Sequence, residues 1–69
     1  MKKDKLRGKI AEKGVTQLQC ADKLEISLQA FNAKLNGNVE FKLDEANALG
    51  DFLKLTSDEK IDIFLSWNL

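Results

Sequence analysis

Apolar residues recur along this chain at spacings of three and four, the period of a helix face. Leu6 and Ile10 stand four apart among Lys and Arg residues, which predicts a first helix from about Lys3 to Lys13. Gly14 follows as a residue that readily turns left-handed at a helix end, with Val15 packing back on the helix. Thr16 is an N-cap, and Gln19 three residues later completes a capping box. A second helix is predicted from about Gln17 to Leu24, with Cys20, Ala21 and Leu24 on its inner face. Glu25-Ile26 is the turn. Ser27 caps a third helix, about Leu28 to Leu35, with Phe31 and Leu35 inward and Asn36-Gly37 as its stop.

Asn38 to Lys42 reads as a short extended connector in which Phe41 plugs the core. A fourth helix is predicted from about Leu43 to Leu53, since Ala46, Leu49, Gly50 and Leu53 fall at spacings of three, four and seven. Gly50 costs about 1 kcal/mol of helix propensity relative to Ala, and its presence points to a neighbouring helix passing close. Leu55 leads into Thr56-Ser57-Asp58-Glu59, a second capping box with acids where the helix dipole favours them. The fifth helix covers about Ser57 to Leu65, with Ile61 and Phe64 assigned to the core. Leu18 and Phe52 face outward, as contact points or as local packing. The pattern therefore predicts an all-α fold of five helices without a strand. It forms a single domain over residues 1–69, with no repeat or linker.

Composition narrows the function classes. A chain of 69 residues buries only about 60% of the surface its unfolded form exposes, so stability is modest unless oligomerisation adds to it. Charged residues make up 32% and hydrophobic residues 43%, the balance of a water-soluble globular domain. No apolar run approaches the roughly 20 residues that span a membrane, and no apolar segment follows the basic residues near Met1 as in a signal peptide. A cytoplasmic protein is the expectation. One Cys and no His leave no internal disulfide and too few ligands for a metal. Cys20 reads as a small buried hydrophobe. There is no Gly-rich phosphate loop and no nucleophile–base constellation. The chain is therefore expected not to be an enzyme, and to need no cofactor, metal or small-molecule ligand.

Eleven basic and eleven acidic residues give zero net charge, but they are unevenly spread. Residues 1–36 hold eight Lys or Arg and four acids, a net of +4; residues 37–69 hold three Lys and seven acids, a net of −4. A basic half carrying the third helix, with an acidic half facing away, suits DNA. Ordinary solvated charge produces the same split.

Residues 17–36 resemble the helix-turn-helix motif of phage repressors of the lambda-repressor and Cro type, and of the xenobiotic-response-element regulators. The likeness extends from about Lys3 to Phe64. Ala21 is the motif's fifth residue, where the two helices cross and only a small side chain fits. Cys20, Leu24, Ile26 and Phe31 match buried positions, and Ser27 starts the recognition helix. Glu25 stands where the family usually has Gly, at a cost of about 1 kcal/mol for a left-handed non-Gly residue. The resemblance implies a compact five-helix lambda-repressor-like domain, encoded by a bacterium or phage. It implies a transcriptional regulator that binds a double-stranded DNA operator with the third helix in the major groove.

That resemblance also implies which residues touch DNA. Leu28, Gln29, Asn32 and Ala33 would face the bases. The amides of Gln29 and Asn32 match adenine N6 and N7, and Leu28 or Ala33 would pack on a thymine methyl. Gln17 looks like the family's phosphate-binding glutamine, and Lys34, Asn36 and Asn38 would reach backbone oxygens. Lys2, Lys3 and Lys5 form either a mobile arm toward phosphates or a solvated helix start. Many relatives carry Arg or Lys where Ala33 stands, so few counterions are released and non-specific affinity is low. Dimerisation then matters more. Leu65, Trp67 and Leu69 run past what one small core absorbs and predict a homodimer through this end. Its two recognition helices would lie about 34 Å apart on a palindromic operator. The alternative is a protein-interaction module or anti-regulator that keeps the fold without binding DNA. Zero net charge and Ala33 favour that alternative, whereas Gln17, Gln29, Asn32 and the basic half favour DNA.

Overall fold

The computed structural model describes residues 1–65. Its order is α1 (Lys3–Lys13), α2 (Gln17–Lys23), α3 (Leu28–Leu35), α4 (Leu43–Phe52) and α5 (Ser57–Phe64), with no strand among the described residues. The domain is all-α. No helix among the described residues is long and apolar enough to cross a membrane.

Local chemistry explains the starts and stops. Thr16 and Thr56 each accept from the backbone N–H three residues on, while Gln19 and Glu59 reach back to the cap N–H, completing both capping boxes. Ser27 Oγ accepts from the Ala30 N–H at 3.0 Å and starts α3. Four helices stop by one device. Gly14, Glu25, Gly37 and Lys54 take positive φ values of 70°, 57°, 85° and 57°. The next N–H then reaches back to the carbonyl five residues earlier: Val15 to Ile10, Ile26 to Ala21, Asn38 to Ala33 and Leu55 to Gly50. These bonds satisfy carbonyls that the helix end would leave open. The device also turns Val15, Ile26 and Leu55 onto the core.

The core gathers Leu6 and Ile10 of α1, Cys20 and Ala21 of α2, and Phe31 and Leu35 of α3. Leu49, Leu53, Leu55 and Ile63 complete it. Phe41, in the connector, sits edge-to-face on Phe31 at 6.0 Å and on Phe64 at 5.7 Å, so it closes the core as expected. Gly50 meets α5 closely: a β-carbon there would lie 2.8 Å from Cγ and Cε of Lys60.

One expectation is corrected and two open alternatives are decided. Ile61 is 54% exposed, and Ile63 takes its place in the core. The two lie two residues apart, about 200° around a helix, so only one can face inward. Phe52 is half-buried against the core, with the Lys23 ammonium 6.0 Å above its ring. The N-terminal lysines form no free arm. Lys2 donates its N–H to the Ile63 carbonyl at 2.8 Å, and the ammonium groups of Lys2 and Lys5 each lie 2.6 Å from Asp62. Lys9 adds a contact to Glu59 at 2.7 Å, so α1's basic face is zipped onto α5.

Candidate nucleic-acid interface

The turn from Leu24 to Ser27 sets the relation between α2 and α3. Leu24 and Ile26 both donate their N–H to the Ala21 carbonyl at 3.1 Å. Cys20 and Ala21 are fully buried, and the small Ala21 side chain lets the two helices approach. Burial raises the Cys20 thiol pKa, which keeps it protonated and unreactive.

On α3, Leu28 and Asn32 stand four apart, as do Gln29 and Ala33, so the four share one side of the helix. Leu28 and Gln29 are exposed; Asn32 and Ala33 are half-buried. Neither the Gln29 nor the Asn32 amide has a side-chain hydrogen-bond partner among the described residues. Both are left with donors and acceptors to offer.

The expected phosphate contacts fare differently from one another. Gln17 is exposed at the first position of α2, and Asn38 is exposed beyond α3. Asn36 is exposed too, but α1 holds it: Arg7 Nη2 donates to its Oδ1, and Lys3 Nζ donates to its carbonyl at 3.3 Å. Lys34 does not reach outward. Its ammonium lies 3.0 Å from Glu45 Oε1, with side-chain exposures of 10% and 13%. The reason is its spacing: three residues after Phe31 and one before Leu35, it shares the inward side of α3. Arg7 was missed as a cation near the end of α3, and Lys3, named above only as part of an N-terminal arm, lies there with it. Their separation of four on α1, which packs on α3, is the signal that could have found them. Neither has an acidic partner among the described residues.

Residues 2–66 match a family model described as "Protein of unknown function (DUF739)". The chain belongs to that family. No curated protein and no solved structure matches it significantly.

Away from α3, a second surface is apolar. Leu43 (73% exposed), Ile61 and Leu65 line a groove of about 220 Å³ with Ala46 and Phe64. Leu65 is thus exposed at the end where a dimer contact was expected; Trp67 and Leu69 lie outside the described residues. No cluster of His, Cys, Asp and Glu able to hold a metal occurs among the described residues.

Proposed function

We propose that the chain is a sequence-specific double-stranded-DNA-binding regulator of the lambda-repressor and Cro type, acting as a cytoplasmic homodimer with α3 in the major groove. One observation carries the reading: a short helix, capped at its start and braced by α2, presents two unpartnered amides on one side, Gln29 exposed and Asn32 half-buried. Gln29 and Asn32 read base edges, flanked by Leu28 and Ala33. Gln17, Asn36 and Asn38 serve backbone oxygens. Arg7 and Lys3 bring positive charge to the C-terminal end of α3, where the helix dipole also favours cations. Lys34 drops out of the phosphate set because its charge is already matched by Glu45.

A second reading, a protein-interaction module on the same fold, is favoured by the exposed Leu43, Ile61 and Leu65. Selection of bound duplexes from a random library at low salt separates the two. An enriched palindrome, lost in Gln29→Ala/Asn32→Ala with the fold intact, is the result expected for DNA binding. No enrichment from folded protein removes that reading and leaves the interaction module.

A further inference from the structure

The end of α3 is tied to the start of α4 by an ion pair that crosses the connector 36–42. α3 packs on α1 and α2, while α4 packs on α2 and α5. Besides backbone bonds at the end of α3, two side-chain contacts among the described residues tie α3 to the connector and α4. One is the ring contact of Phe31 with Phe41. The other is Lys34, whose ammonium donates to the Glu40 carbonyl at 3.2 Å and lies 3.0 Å from Glu45 Oε1. That same Glu45 oxygen accepts the Lys42 N–H at 2.9 Å, the cap of α4. A single ammonium therefore links α3, the connector and the first turn of α4.

We propose that the Lys34–Glu45 pair is a positioning device for the reading face of α3, holding Asn32 and Ala33, which immediately precede Lys34, at a fixed angle to the rest of the domain. The proposal rests on the DNA-binding reading above. Three points support it. Both side chains are largely dry, so removing either leaves a charge without compensation. Burial alone would raise the Glu45 pKa, yet the Lys42 N–H and the Lys34 ammonium hold it below its ordinary value. The Ala33 carbonyl accepts from the N–H groups of Asn38 and Val39, so the connector is already wound against the last outward residue. Reading bases demands that a helix be held within about 0.5 Å, and loss of a tie at its end loosens it.

The test uses the full chain, the duplex that wild type selects, and a random duplex of equal length, titrated over a range of salt. Lys34→Met and Glu45→Gln are each expected to lower the preference for the selected duplex by about tenfold, the scale of one charged hydrogen bond. The salt slope stays unchanged, and the double variant loses no more than either single one. Glu45→Gln carries a special weight. Neutralising an acid that merely faced DNA would strengthen binding to every duplex, so a loss of preference in this variant supports positioning. A Lys34→Met protein that weakens all duplexes equally, with a salt slope reduced by about one, is a lost phosphate contact and overturns the proposal. Unchanged preference in folded Glu45→Gln overturns it too, and this variant decides the matter if Lys34→Met does not fold. Wild-type protein that selects no duplex defeats the DNA-binding reading itself. That failure is told apart from the others because it appears before any substitution is made.

Discussion

Exchanging the residues at the left-handed helix ends is expected to move stability in opposite directions at different ends. Gly14 and Gly37 close α1 and α3, whereas Glu25 and Lys54 close α2 and α4 in the same backbone conformation. A non-Gly residue in this conformation costs roughly 1–2 kcal/mol. Glycine removes that cost but adds about 0.4–1 kcal/mol of unfolded-chain entropy. Strain outweighs entropy, so Glu25→Gly and Lys54→Gly should each stabilise the domain by about 0.5–1 kcal/mol. Neither side chain has a hydrogen-bond or ion-pair partner among the described residues to forfeit. Gly14→Ala and Gly37→Ala should destabilise by a similar amount. A β-carbon at either position meets nothing within 4 Å, so the cost is one of backbone alone. For a domain of this size 1 kcal/mol corresponds to roughly 4–8 °C in Tm. Urea unfolding followed by far-UV circular dichroism resolves such differences. A Gly14→Ala protein more stable than wild type, or a Glu25→Gly protein less stable, would refute the reasoning.

Acid should weaken the α1–α5 contact. Asp62 is held at about 2 by the Lys2 and Lys5 ammonium groups, and Glu59 at about 2 by Lys9 and the Thr56 N–H, against ordinary values of 3.8 and 4.5. A depressed folded pKa means that the stabilisation is complete above the ordinary value and lost as pH falls toward 2. The urea midpoint should fall over that window in wild type and less steeply in Asp62→Asn; a midpoint that rises on acidification contradicts the ion-pair account. Removal of Trp67-Asn68-Leu69 should leave a folded monomer, and a truncated chain still dimeric by ultracentrifugation rules out the proposed interface.

Most of the fold was legible because its signals are local. Thr16, Ser27 and Thr56 announce helix starts through side chains that bond amides three residues away. Phe31 and Leu35, or Leu49 and Leu53, mark inward faces by spacing alone. Lys54 was not legible as a left-handed stop, since lysine carries no preference for that conformation. Ile61 misled because apolar character near a small core does not say which of two residues, Ile61 or Ile63, the helix register turns inward. At the candidate interface, the shared side of Leu28, Gln29, Asn32 and Ala33 follows from helix geometry. The fate of Lys34 depends on Glu45, a partner brought close only by the fold.

The charge split shows the same limit and bears on function. Counting residues divides the chain into a basic half and an acidic half, which invites the picture of a basic surface turned toward phosphates. Folding instead brings the halves together. Lys2, Lys5 and Lys9 pair with Asp62 and Glu59, and Lys34 pairs with Glu45. At the C-terminal end of α3, Arg7 and Lys3 stand without an acidic partner among the described residues. A protein that neutralises few phosphates has a shallow salt slope and weak binding to arbitrary DNA. Under the proposed DNA-binding function, discrimination would come from base contacts, from the stiffness with which α3 is held, and from joining two domains. On that proposal, the unpartnered amides of Gln29 and Asn32, the Lys34–Glu45 tie and the exposed Leu43, Ile61 and Leu65 would answer to those three needs.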